Sequence, residues 1–207
     1  MQAKIFNSPF AIMQESMQEQ LTQQLRANHW VDSPFAEIDL LKNDHSGKAG
    51  EVFVDRLCEA LDIPKIFDED IIATDGHYDI IMNGKQVEIK TARQGKGKER
   101  KDGTFTTGNF QHESLRNYGC DYWLFVDIAP RGIYLTVIDS SMWDLSSSAQ
   151  HPILKIGAHS RHSTKDQYKI DTSVGVLKRG LVGGITLLIQ EDTSFGEIKN
   201  FLNKLIN

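Results

Sequence analysis

Three things are scarce in this chain, and each shortage removes a class of protein. There are 2 cysteines in 207 residues. Cys58 and Cys120 lie in apolar-patterned segments without ligand-like spacing, which excludes a disulfide framework and leaves buried free thiols as the expectation. Long apolar runs are missing too. Nothing approaches the roughly 20 uncharged residues that span a bilayer. An Asn-Ser-Pro interruption stands where a secretion signal would carry its apolar stretch. The expectation is a soluble, unprocessed, cytoplasmic protein. Finally, there is no basic excess: the formal net charge is −5, so any contact with phosphate must rest on a local concentration of cations.

Such a concentration exists. Arg93, Lys96, Lys98, Arg100 and Lys101 crowd the stretch RQGKGKERK, while acidic residues gather over 51–70 and 191–197. With 40% hydrophobic residues the chain can bury one proper core and carry a helical appendage.

Periodicity supplies the organisation. Ser8 as cap, Pro9 in the first turn, and Phe10, Met13, Met17, Leu21 and Leu25 at helical spacing predict an amphipathic helix over 8–28. Residues 1–46 thus form a helical extension whose apolar face suits the core or a subunit contact. A second helix is expected over 47–61, with Phe53, Leu57, Ala60 and Leu61 on its apolar side, Glu51 and Asp55 off it, and Pro64 ending the pattern. The period then changes to that of strands in DIIAT (70–74), HYDIIM (77–82) and KQVEIKTA (85–92). FQHESLRNY (110–118) reads as one or two helical turns, and 121–129 and 132–139 as strands. Later strands are expected in HPILKIG, QYKIDT and GITLLIQ, with a last helix capped at Ser194. Together these specify an α/β domain over 47–207, a mixed central sheet flanked by helices.

The hairpin at 77–90 is the most informative segment. Asn83-Gly84 between two alternating runs signals a two-residue type I′ turn, which pairs Met82 with Lys85, Ile80 with Val87 and Asp79 with Glu88. Tyr78, Ile80, Met82, Val87 and Ile89 then share an apolar face, and His77, Asp79, Gln86, Glu88 and Lys90 a polar one. Opposed like charges cost about 0.2–1 kcal/mol in a strand pair, so the arrangement calls for a reason. Screening by water with Lys90 as a bridge is one. A divalent cation is the other: two close carboxylates and a carbonyl such as that of Ile89 suit a hard ion such as Mg²⁺. Such an ion lowers the pKa of a bound water and neutralises charge developing on a phosphate. Lys90 on the same face could orient the attacking water.

Asp79 followed by Glu88-Ile89-Lys90 at the end of a hairpin, after an acidic helix and before a basic loop, resembles the PD-(D/E)xK nuclease superfamily. The resemblance spans about residues 47–140 and is closest to type II restriction endonucleases, with FQHESLR and DYWLFVDIAP matching segments that often follow the motif strand. Tyr78 stands where the motif's name has proline, its least chemically necessary element. The resemblance implies the restriction-endonuclease-like fold and Mg²⁺-dependent hydrolysis of DNA phosphodiesters. It makes Asp79 and Glu88 metal ligands, Lys90 the catalytic lysine, Glu51 the acidic residue of the first helix, and Gln111 a water or phosphate contact.

Beyond residue 140 the chain reads as DNA-contacting additions. HSRHSTKDQYK, with Arg161, Lys165 and Lys169, carries side chains suited to DNA. His151, His159 and His162 lack the carboxylate or thiol that would complete a zinc set. The combined expectation is a type II restriction endonuclease acting on double-stranded DNA as a homodimer, because cutting both strands of a palindrome maps onto two-fold symmetry. A structure-selective or repair nuclease of the same fold, such as a junction resolvase, is the alternative, and a non-catalytic nucleic-acid-binding module is a third reading.

Overall fold

The segments YWLFVDIA and GIYLTVID are apolar at nearly every position, and strands of that composition must be covered on both faces. A computed structural model of the chain describes residues 13, 16–18, 29–30, 32–67, 78–98, 101, 108–116, 119–142, 145, 155–158, 168–179 and 184–206. In chain order it contains a 3-10 turn (Ala36–Leu40), α1 (Asn43–Ala60), β1 (Lys65–Ile66), β2 (Ile80–Met82), β3 (Lys85–Arg93) and β4 (Asn109–Leu115). Then come β5 (Tyr122–Ala129), β6 (Gly132–Asp139), β7 (Lys155–Ala158), β8 (Tyr168–Ser173), α2 (Val174–Arg179), β9 (Gly184–Ile189) and α3 (Phe195–Ile206).

The main sheet has six strands in the order β1-β2-β3-β5-β6-β9. Only β3 and β5 run parallel, so it is a mixed sheet. Alternation along β5 and β6 sorts the apolar side chains into two cores. Leu124, Val126, Leu135 and Val137 meet Val54, Leu57 and Cys58 of α1 and Ile198, Phe201 and Leu202 of α3. Trp123, Phe125, Tyr134 and Ile138 point the other way, onto Phe110, Leu115 and Ile170. Those last three belong to a second sheet, β4-β8-β7. Each large side chain fully buried this way contributes about 1.5–3 kcal/mol.

The expected mixed α/β architecture is what the chain forms, with three corrections of detail. FQHESL is strand β4, where helical turns were expected. The cause is a register shift between His112 and Leu115, with Ser114 at φ 60°. The irregularity turns Leu115 inward beside Phe110 and His112, so the buried spacing is two and then three and imitates a helix. Second, α1 begins at Asn43 instead of residue 47. Third, Cys120 is only partly buried, whereas Cys58 is fully so; both are free. The expected strand over 70–74 lies outside the described residues. Of the expected helix over 8–28, Met13 and Ser16–Gln18 are described and helical, with Met13 and Met17 exposed. The Ser194 hydroxyl accepts a 3.2 Å hydrogen bond from the Glu197 amide, capping α3 as expected.

The N-terminal segment docks onto the end of β3. Trp30 and Ile38 are buried, and His29 Nε2 lies 3.0 Å from the Gln94 carbonyl. The Arg93 guanidinium donates to the carbonyls of Ile38, at 2.8 Å, and Leu41, at 3.4 Å.

Candidate active site

The hairpin forms as its sequence requires. Asn83 and Gly84 have φ of 49° and 79°, the paired positive values of a type I′ turn. The ladder pairs Met82 with Lys85, Ile81 with Gln86 and Ile80 with Val87, and Tyr78, Ile80, Met82, Val87 and Ile89 are all buried. At Asp79 the chain leaves this ladder. Its amide donates to the Val87 carbonyl at 2.9 Å, and its Oδ2 accepts a 2.6 Å hydrogen bond from the Ile89 amide. The Asp79 carboxylate therefore substitutes for a missing rung of β2 and does not simply face Glu88 across the strands. In an extended strand the N–H and C=O of one residue point to the same side. The Ile89 carbonyl is thus directed to the edge that Asp79 occupies.

Because β2 begins at Ile80 while β3 continues to Arg93, the edge of β3 stays open beyond Val87 among the described strands. A cleft of about 770 Å³ lies there. On one side α1 contributes Ser46, Gly47 and Glu51; on the other β4 contributes Asn109, Gln111 and Glu113. The helix comes very close to the strand: a Cβ on Gly50 would lie 1.7 Å from Thr91 Oγ1. Glycine at this position lets the first half of α1 approach β3 and carries Glu51 to the cleft.

The charges are unbalanced. Lys90 Nζ lies 2.5 Å from Glu88 Oε1, and Glu88 is 8% exposed. Glu51 pairs with Lys48 at 3.1 Å. Asp79 is pushed up from 3.8 to about 6, chiefly by burial. The Ile89 hydrogen bond and the Lys90 ammonium oppose the rise, and the charges of Glu51 and Glu88 add to it. A buried carboxylate made harder to ionise by two others attracts a cation. Among the described residues no three of His, Cys, Asp and Glu close into a metal cage. Asp79, Glu51 and Ile89 line the cleft, whereas Glu88 is not in its lining and is held by Lys90. The carboxylates with the Ile89 carbonyl form an open donor set that fits a hard ion retaining several waters.

Other expected site residues fall into three groups. Lys96 and Lys98 line the cleft beside Gln111, and Lys101 is exposed. Arg93 also borders the cleft, but its guanidinium is committed to the Ile38 and Leu41 carbonyls and to Asp39 at 3.5 Å, so it acts as a clamp on the N-terminal segment. Arg100, Arg161, Lys165, His151, His159 and His162 lie outside the described residues.

Two features were missed in the sequence. Asn109 and Glu113 flank Gln111 on the cleft wall. Behind them His112 Nε2 approaches Asp127 Oδ1 at 2.9 Å, both side chains fully buried. The two polar groups face each other in the space between the sheets, with no other side chain to pair with there among the described residues. The His112 ring stacks on Phe125 with centroids 4.0 Å apart. Burial pushes the Asp127 carboxyl up, against the pull of His112. A signal was present: Asp127 is the one charged residue within the apolar run YWLFVDIA.

Comparison with known proteins converges with this geometry. A family model described as a PD-(D/E)XK nuclease superfamily domain matches residues 14–174. Neither the curated proteins nor the solved structures gave a match. Nucleases of this superfamily act on nucleic acids and generally use divalent metal ions. No helix among the described residues is long and apolar enough to cross a membrane. The match covers most of the chain and includes both strands of the hairpin, the cleft and every strand of the mixed sheet except β9: the chain belongs to the PD-(D/E)XK nuclease superfamily.

Proposed function

We propose that the protein is a Mg²⁺-dependent endonuclease of the type II restriction kind, a cytoplasmic homodimer that hydrolyses phosphodiester bonds of double-stranded DNA. The observation that carries the reading is the placement of the Asp79 carboxylate, raised to about 6, at the open edge of β3 against Ile89, with Lys90 the next residue in the cleft lining.

Asp79, Glu88 and the Ile89 carbonyl would hold the ion. When bound, the ion supplies a water of lowered pKa and neutralises charge developing on the phosphate. Lys90 is balanced by Glu88 in the protein alone. With substrate in place its ammonium can donate to the attacking water or to a phosphate oxygen, holding the nucleophile in line. Glu51, on α1, can accept a proton from a water entering on the helix side. Lys96 and Lys98 at the cleft provide phosphate contacts that give affinity without sequence information. Two-fold symmetry gives one such cleft to each strand of a palindrome.

The test is digestion of a panel of unmethylated plasmids with Mg²⁺, with and without EDTA. Discrete double-strand fragments that disappear in EDTA support the reading. Persistent nicked circles, or cleavage confined to branched DNA, favour a structure-selective nuclease; uncut DNA with every divalent ion tried refutes nuclease action.

A further inference from the structure

The wall that β4 builds differs in chemistry from the rest of the cleft. Along this strand Phe110, His112 and Leu115 are buried while Asn109, Gln111 and Glu113 are exposed, and these three exposed residues line the cleft shared by Asp79 and Lys90. Asn and Gln amides can meet phosphate as well as bases, but the Glu113 carboxylate beside them, though paired with Lys169 at 3.6 Å, disfavours a phosphodiester backbone on this wall. They are the groups that read base edges: Asn and Gln pair bidentately with adenine, and Glu accepts from the cytosine amino group. Cations suited to phosphate stand instead in the segment that leaves β3, at Lys96 and Lys98. The cleft therefore separates backbone-binding from base-reading chemistry.

A reading element must also be rigid, and β4 is pinned from behind. His112 is wedged between the sheets, stacked on Phe125 and paired with Asp127. Phe125 is in turn the ladder partner of Lys90. A buried polar pair seldom adds net stability over well-packed apolar side chains of the same size. Its effect here is positional, because it locks the inward face of β4 onto the strand beside Lys90. Residues two apart on a strand are separated by roughly 6.4–6.8 Å, about two base steps of 3.4 Å.

Resting on the nuclease reading above, we infer that β4 is the sequence-reading wall of the cleft, with Asn109 and Gln111 contacting base edges about two steps apart while Lys96 and Lys98 hold the backbone. The test uses the full chain, Mg²⁺ and a library of random-sequence duplexes, with the cut ends sequenced. Wild type should show base preferences near the cut. One bidentate base contact discriminates by about 5- to 150-fold. Asn109→Ala and Gln111→Ala should each flatten one position toward no preference and keep the others, the two positions lying about two steps apart. Gln111→Glu, which replaces an amide by an acceptor, should move its position from adenine toward cytosine. Profiles unchanged in all three variants, a uniform loss at every position, or cutting by wild type without preference would overturn the inference while leaving nuclease action standing. A wild type that cuts nothing removes the nuclease reading and this inference with it.

Discussion

The Asp79 carboxylate accepts a 2.6 Å hydrogen bond from the Ile89 amide, and this one contact sets the character of the cleft. It holds an acid at the edge of β3 that no described strand pairs beyond Val87, beside a carbonyl aimed the same way, while Lys90 is drawn to Glu88. Two like charges are thus given separate partners, yet Asp79 remains harder to ionise than a free carboxyl.

That residue makes stability pH-dependent in the metal-free protein. With its value raised from 3.8 to about 6, the folded state binds the extra proton between those limits. Stability contributed there is present below about pH 4 and lost as pH rises through about 6, up to roughly 3 kcal/mol. Asp79→Asn keeps an acceptor for Ile89 and removes the charge. In EDTA it should melt at or above wild type at pH 7.5, with the gain shrinking toward pH 4.5. Mg²⁺ should raise the wild-type midpoint by mass action and the mutant's far less. A mutant melting well below wild type in EDTA would make Asp79 a structural partner.

The cations along 93–101 should separate into two behaviours. Neutralising Lys96, Lys98 and Arg100 together should weaken binding to all DNA and lower the salt slope, by about 0.9 for each phosphate that the variant no longer neutralises. Arg93→Ala should instead lower thermal stability by about 1–3 kcal/mol, because its guanidinium satisfies backbone carbonyls of the N-terminal segment. Equal salt slopes for wild type and the triple variant would return that segment to mere solvated surface.

Gly50 tests the helix–strand approach. Alanine there gains about 1 kcal/mol in helix propensity, but its methyl would overlap Thr91, and overpacking of this kind costs about 1–3 kcal/mol. The expected outcome is a net loss in a denaturant melt, with cleavage falling further than stability alone explains because Glu51 moves. A stabilised Gly50→Ala with full activity would mean that α1 can shift freely.

The buried pair tests the anchoring of β4. Asp127→Ala leaves the buried His112 without its polar partner and should cost about 1–3 kcal/mol. His112→Leu combined with Asp127→Leu should recover most of that loss in the same unfolding experiment. A double variant as unstable as the single would show that packing on Phe125, and not the pairing with Asp127, is what the site requires.

The hairpin was legible because its determinants are local. Asn83-Gly84 dictates the turn, the turn dictates register, and register places Ile80, Met82, Val87 and Ile89 in the core. That 121–129 and 132–139 are strands was legible from composition alone. What escaped depends on distant partners. The bulge at Ser114 disguised β4 as a helix, and its pairing with β8 joins residues some sixty positions apart. The departure of Asp79 from the ladder arises from its side-chain bond to Ile89, which no alternation pattern encodes. His112 and Asp127 meet only because two sheets stack, although an aspartate inside YWLFVDIA was a visible anomaly. Arg93 looked like its basic neighbours until Ile38, Asp39 and Leu41 claimed it.

The central claim is that Lys90 acts in bond cleavage and not in holding DNA. It is tested by pairing plasmid cleavage in Mg²⁺ with equilibrium binding to the same DNA in Ca²⁺, for wild type and Lys90→Ala. Loss of essentially all cleavage by the variant, with affinity within a few-fold because phosphate contacts elsewhere carry it, is the predicted result; a variant that still cuts at more than a few per cent of the wild-type rate, or that loses binding and cleavage in step, would contradict it.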